Sequence, residues 1–585
     1  MALLNRILRF LKAPENRGAN ILRLFGLIVA LILFAIALQT VGDYNDGQRQ
    51  LTEAKVDDEL ESLGRVTPFW LMVSQGAAAT VAMFGLVIAL AMGRLPIGQI
   101  LSVAMISIGV TLSWSSADLF RNLDSLTISQ MGELPSPGAY FGQQLLTCVL
   151  FLSVPVLVWA YHRAPLMDKY TLNAVLMPVA LIFVALIAIW MIMDLTDNGR
   201  DFISAGAGFG MLGRYYLVQM PQMILLVFPI TLLLALLYAL GQMSKSNEIV
   251  SMLCSGQSMA RILRPLLILG AYATLLCTVL KYEWAPNADA RKQGILNQVS
   301  DMASDRKSKG KKAKQAEEWA NLGWLYRNST GNRTWFVGRV PVDLKNKPMR
   351  YVAVFWQHGT GKIFRTYRAE EARWDHTRRV WIFRKCMIYE FDEFGTATRS
   401  YLYIHEVPDW NETPWHVVGS STKAEHLGIA GLTVYLRTFE ESLDADIPLD
   451  TEEARRIRDA ELAAASDEEN PALTKKLAPF RTHWHYRWAE PFRCFFIVLM
   501  AAPLGIVHSR RGVLTGVAAA IGILSALIFL DGVFLALGGS GRAPAWIGAW
   551  GPNLILGVVG SVIFWMKQRN KEVPKFRFPK LFAKS

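Results

Sequence analysis

The chain has 585 residues, 52% of them hydrophobic, and a formal net charge of +13 at pH 7. Its apolar residues fall in long blocks, which excludes an ordinary soluble core, and its basic excess sits beside those blocks, which reads as membrane topology and not as nucleic-acid binding. Five cysteines with no paired or metal-ligand spacing exclude a disulfide framework and a zinc site.

A bilayer core about 30 Å thick takes roughly 20 apolar residues as a helix. Ten segments meet that requirement: 21–40, 68–92, 97–114, 141–161, 172–193, 215–241, 263–281, 491–507, 513–537 and 545–566. The first is too long, and too poorly followed by small residues, for a cleaved leader, so it reads as a retained span. Basic runs precede the first span ("NRILRFLKAPENR"), follow the fourth ("YHRAPLMDK"), separate the eighth from the ninth ("HSRR") and follow the tenth ("KQRNKEVPKFRFPKLFAKS"). The loops "DYNDGQRQLTEAKVDDELES" and "DLFRNLDSLTISQMGE" are acidic or mixed. The positive-inside rule then puts both termini in the cytoplasm.

Residues 282–487, between the seventh and eighth spans, break the membrane pattern and by parity lie outside the cytoplasm. They open with a short helical stretch and a basic linker. From 319 the period changes to two: "TWFVGRVPV", "MRYVAVFWQ", "IFRTYRAEEARWD", "RRVWIFRKCMIYEF" and "ATRSYLYIHEV" are aromatic and β-branched and are separated by turn signals. Strands repeated at this spacing predict a sandwich or jelly-roll-like sheet. The charged segment 446–476 reads as a solvated insertion, and "THWHYRW" at the eighth span as an interfacial aromatic belt, not a metal site. No catalytic constellation stands out. Gly361-Lys362 lacks the first P-loop glycine and is followed by Ile363.

Between the sixth and seventh spans lies "SKSNEIVSMLCSGQSMARILRP", 244–265. On a helical wheel Glu248, Ser251, Ser255 and Ser258 share one face, and Ile249, Leu253 and Gly256 another. Ser244 or Ser246 is placed to cap the start, Glu248 to complement the helix dipole, and Pro265 to restart the chain. Periodicity alone is met by a surface helix joining two spans. Topology adds that this helix faces the cytoplasm and offers a carboxylate to a basic groove.

The stretch 228–268, "FPITLLLALLYALGQMSKSNEIVSMLCSGQSMARILRPLLI", closely resembles the second span and coupling helix of the LptF/LptG permeases. The shared pattern is a proline-containing span, then Gly241, Glu248, Gly256, Ser258 and Pro265. The resemblance continues through Glu283 and Pro286 of "EWAPNADA", "NETPWHVV", "GLTVYLRTFEESL" and "WAEPFRCFFIVLMAAPLGI" to the last two spans, over about 170–567 in order. It implies a subunit that exports lipopolysaccharide, with six core spans and a large periplasmic β-jellyroll-like domain inserted between them; residues 1–168 depart from that pattern by adding four spans, so the whole chain reads as a polytopic α-helical membrane protein of about ten spans. The implied divisions are 1–168, four added spans; 169–281, core spans with a coupling helix at 244–260; 282–487, the β domain; 488–567, the remaining core spans; and 568–585, a basic cytoplasmic tail.

The resemblance further implies a bacterial inner-membrane location, a second permease of the same type, a cytoplasmic ABC ATPase dimer and a periplasmic jellyroll bridge. No cofactor is expected in this chain, ATP and magnesium belonging to the partner ATPase, and no covalent chemistry. Glu248 matches the acidic coupling residue, with Ser251, Ser255, Gly256 and Ser258 beside it. The first core span, 172–193, carries no lysine for a basic substrate contact, which leaves Arg200, Arg214, Lys281 and Arg291 near the outer ends of core spans to meet lipid phosphates or to act as interfacial anchors. Asp531, deep in a span, is either a substrate-facing charge or a hydrogen-bonding partner for a neighbouring helix. Two other classes stay open: a non-transporting scaffold with a β interaction domain, which has no need of Glu248, and a membrane-embedded lipid- or glycan-modifying enzyme, which needs paired acids or histidines in an outer loop.

Overall fold

The computed structural model describes residues 17–57, 67–129 without 94, 137–285, scattered positions of 288–302, then 319–328, 332–341, 348–357, 362–375, 378, 380–392, 396–407, scattered positions of 410–436, and finally 471–508 and 513–569. The terminal basic runs, the linker 303–318 and residues 446–470 of the charged segment lie outside these. Among the described residues ten helices are long and apolar enough to cross a membrane, in the chain order expected. In hydrocarbon a helix is the one open-ended element that satisfies its own backbone, so each apolar block takes that form. The chain divides into two compact units, 1–170 and 171–585.

The first unit contains α1 (Arg17–Asp57), α2 (Phe69–Met92), α3 (Pro96–Ser129) and α4 (Pro137–Arg163). Small residues let its backbones approach: a Cβ on Gly109 of α3 would stand 2.8 Å from the Ala78 carbonyl oxygen of α2. Polar side chains then tie helix to helix. Gln75, almost fully buried, donates to the Ser113 carbonyl (2.8 Å) and accepts from the Ser113 hydroxyl (2.6 Å). Asp118 accepts from Tyr140 of α4 (2.9 Å), from Asn122 (3.1 Å) and from Gln144.

The second unit contains most of α5 (Leu166–Ala205), then α6 (Phe209–Lys245), α7 (Glu248–Cys254), α8 (Met259–Val279), a π-helical turn (Leu280–Trp284), six strands, α9 (Pro471–His508), α10 (Val513–Gly539) and α11 (Ala545–Gln568). Its largest core is built around Leu232, Leu236 and Leu240 of α6, Leu263 and Leu266 of α8, and Ile497, Val498 and Ala501 of α9, all buried. Glycine again sets the approach of α11 to α9: a Cβ at Gly560 would sit 3.1 Å from the Met500 amide nitrogen.

The strands are β1 (Trp319–Asn328), β2 (Arg333–Pro341), β3 (Met349–Gln357), β4 (Ile363–Asp375), β5 (Val380–Phe391) and β6 (Ala397–Val407), antiparallel in one sheet of sequential order. Five correspond to the segments the alternation marks out; β1, "WANLGWLYRN", precedes them. One row across the sheet is irregular. Gly323, Gly338, Tyr351, Glu370, Lys385 and Tyr403 are neighbours in successive strands, and all are missing from a register that continues unchanged on either side of the row. Tyr351 and Lys385 have φ near 56° and 51°, the left-handed region. Buried positions change parity at this row: Tyr367 and Ala369 on one side, Ala372 and Trp374 on the other, and likewise Trp381 and Phe383, then Cys386 and Ile388.

The sheet therefore creases without turning its apolar side outward. It also curls, because the Trp335 and Trp381 rings, on strands separated by two others, have centroids 4.8 Å apart. Flat strands at that separation would be roughly 14 Å apart. Trp410, from the chain returning after β6, closes the interior edge-on against Trp335 (5.3 Å) and Tyr367 (5.2 Å).

Candidate functional site

Two structural stations lie at opposite ends of the core spans: α7, where the chain passes from α6 to α8, and a charge cluster at the end that leads to the sheet. The local sequence defines α7 sharply. Asn247, at φ 60°, breaks α6 from α7 without a side-chain cap, and its carbonyl accepts the Ser251 amide (2.9 Å). The Ser246 hydroxyl lies 2.8 Å from Glu248 Oε1, so it binds the carboxylate and does not cap the helix. At the other end Gly256 (φ 85°) donates to the Leu253 carbonyl (3.1 Å) and Gln257 to that of Met252 (3.3 Å), the paired bonds of a Schellman stop.

Ser258 accepts the Arg261 amide (3.3 Å) and so caps α8, which starts at Met259. The helix expected at 244–260 is thus a seven-residue helix followed by a stop and a restart. Ser258 belongs to the next helix, and Pro265 lies inside α8, where it does not restart the chain. Ile249 and Met252, both buried, fix α7 to the core of the spans, while Ser251, Cys254 and Ser255 are exposed and Glu248 is half-buried. A helix held this way can transmit a push.

At the opposite end the π-helical turn inserts Lys281 among charges from α9. Lys281 Nζ stands 2.5 Å from Glu490 Oε2, and Arg493 Nη2 stands 2.6 Å from Asp531 Oδ2 of α10. Arg493 also donates to the Tyr486 hydroxyl (3.5 Å), and buried Arg487 lies within electrostatic reach of Glu490. Lys281, Arg487 and Arg493 thus gather with Glu490 and Asp531 in a region where an unpaired charge is expensive. Lys281 and Asp531 were named from sequence as candidate lipid contacts; their pairing with Glu490 and Arg493 was not foreseen, because it is set by the packing of distant helices.

Arg200, Arg214 and Arg291 are exposed. The neighbour of Arg291, Lys292, is the residue that turns inward, 3.7 Å from buried Asp194 and over the rings of Trp190 (6.0 Å) and Tyr215 (5.8 Å). Tyr215 donates to the same carboxylate (3.2 Å). An aspartate directly after an apolar run was the available signal for this second cluster.

In the sheet, Arg333 makes a two-pronged pair with Glu412 (2.7 and 3.0 Å), both side chains buried. The Glu412 carbonyl accepts the Trp381 indole N–H (2.6 Å). Burial pushes the Cys386 thiol up to about 11, and burial and Arg365 hold His405 below the usual histidine range. Among the described residues no group of three or more His, Cys, Asp or Glu is placed to hold a metal ion.

Residues 169–566 match the family model described as lipopolysaccharide export system permease LptF/LptG. No curated protein sequence matches the chain.

Proposed function

Since the chain belongs to the LptF/LptG family of lipopolysaccharide export permeases, we propose that it is the membrane subunit of an ABC-type exporter, working with an ATPase dimer on the cytoplasmic side and a second permease of its own kind. The observation that carries this reading is α7. It presents a carboxylate and exposed hydroxyls on one side and is anchored by Ile249 and Met252 on the other, as a lever between an ATPase groove and the spans must be.

Two of the six core spans support the second permease. Only 11% of the apolar stretch of α5 and of α10 is buried, against 50–61% in α6, α8, α9 and α11. Apolar faces left open in this way suit a cavity shared with a partner subunit. Lipopolysaccharide extracted from the inner membrane would pass the cluster of Lys281, Arg487 and Arg493, whose cationic donors suit phosphate, and continue to the curled sheet and a periplasmic bridge of similar fold. Closure of the ATPase would push α7 and collapse the cavity.

The test is affinity purification from native membranes. Wild type is expected to bring down an ABC-type ATPase, and Glu248→Arg to lose it, because like charge then meets a basic groove. Recovery of no ATPase with either protein, in detergent that preserves other transporters, would leave the scaffold reading in its place.

A further inference from the structure

At one end of the first unit, the start of α3 and the end of α4 enclose an open cavity of about 480 Å3. Its α3 wall is apolar and includes Ile97, Leu101 and Ala104; its α4 wall ends in Trp159, His162 and Arg163. The Arg163 guanidinium lies 4.6 Å over the Trp159 ring and remains exposed. Lys169 donates to the His162 carbonyl (3.0 Å), which brings a second cation to the same lip, with Asp168 as the adjacent acid.

The cavity thus has two chemistries in sequence along the helix axis. A hydrocarbon wall runs from the interior of the span, and a planar, always-charged donor set stands where that span ends. Headgroups lie at that depth of a bilayer, and a guanidinium offers paired donors to phosphate oxygens. A soluble anion would leave the α3 wall unused, and a zwitterionic phospholipid would bring its own cation to a lip that already holds Arg163 and Lys169. We infer that the cavity binds one anionic phospholipid, its acyl chain along Ile97, Leu101 and Ala104 and its phosphate on Arg163. The residues lining the cavity, Pro96 to Arg163, lie outside residues 169–566, so the proposal is independent of the export reading.

A second Arg–Trp stack provides an internal control. Arg569 lies 4.4 Å over Trp565 at the end of α11, which contributes nothing to this cavity. The full-length protein would be incubated in mild detergent with equal amounts of phosphatidylglycerol and phosphatidylcholine, and the retained lipids counted by native mass spectrometry. Wild type is expected to prefer phosphatidylglycerol roughly fivefold, the scale of one basic residue at a membrane surface.

Arg163→Ala should abolish the preference and Arg163→Lys should keep most of it. Ala104→Trp, which fills the cavity and leaves every charge in place, should also abolish it. Arg569→Ala should leave it unchanged. Equal preference in wild type and Arg163→Ala would overturn the proposal. So would a loss in Arg569→Ala as large as in Arg163→Ala, which would reduce the effect to general surface charge, or full retention in Ala104→Trp.

Discussion

Arg333 and Glu412 illustrate how much one pair of side chains contributes in this chain. Both are buried in the sheet, with the guanidinium 5.1 Å from the Trp410 ring centre and 5.4 Å from that of Trp356. Removing either partner leaves a buried charge uncompensated, at a cost of about 3–5 kcal/mol. Arg333→Ala and Glu412→Ala should each lower the unfolding midpoint of the sheet, followed by tryptophan fluorescence, and the double variant should cost less than the sum of the two. His405 gives the residue-scale pH dependence. It stacks on Tyr367 at 5.7 Å, and its folded pKa lies below the ordinary value, so the fold favours neutral imidazole.

The stability that His405 contributes is complete above the ordinary histidine pKa, about 6.5, and is lost as pH falls through the lower folded value. Thermal unfolding between pH 7 and 5 should therefore show a steeper loss in wild type than in His405→Gln. Neither feature was visible in the sequence. Arg333 and Glu412 stand in different segments, and only the curl of the sheet brings them together.

Elements were more legible than their junctions. Apolar length alone located every span, since a membrane allows so few alternatives. The alternating strands were equally plain, yet the breaks were not. "YRAEEARW" holds two consecutive acids where alternation calls for one, and that doubling marked the crease. The stop at Gly256 was likewise present as a Gly-Gln-Ser sequence, but periodicity carried the helix through it. The π-helical turn had no such mark; it is tied to Glu490 on α9, more than two hundred positions away in the chain.

That tie between elements is testable by compensation. Glu490→Gln should lower the melting temperature of the detergent-solubilised protein by leaving Lys281 unpaired. Lys281→Met combined with Glu490→Leu should recover most of the loss, because an apolar pair of similar size replaces a buried ion pair at little cost. A double variant no better than the single one would show that this position needs charge for more than packing.

At the scale of the whole molecule, the open faces of α5 and α10 are where the proposed second permease would pack. Leu181 and Ile528, 65% and 63% exposed, stand on those faces, whereas Leu240 of α6 is fully buried. Cysteines placed at Leu181 or Ile528 should form intermolecular cross-links in native membranes, and a cysteine at Leu240 should not. Equal cross-linking at all three would point to random collision. The N-terminal unit has its own polar ties and its own cavity. The family match begins two residues before the second unit, at 169 against 171.

The crease has one more consequence, for how such a sheet can change over generations. The strands β2 to β5 keep their buried side inward across the row only because their neighbours carry an extra residue there. Losing Tyr351 alone would turn half of β3 over while β2 and β4 stayed as they were. Single steps toward a flat sheet are thus closed off, and six positions from Gly323 to Tyr403 must be kept or given up together. Substitution at the row is open to drift wherever the backbone permits; insertion and deletion are not.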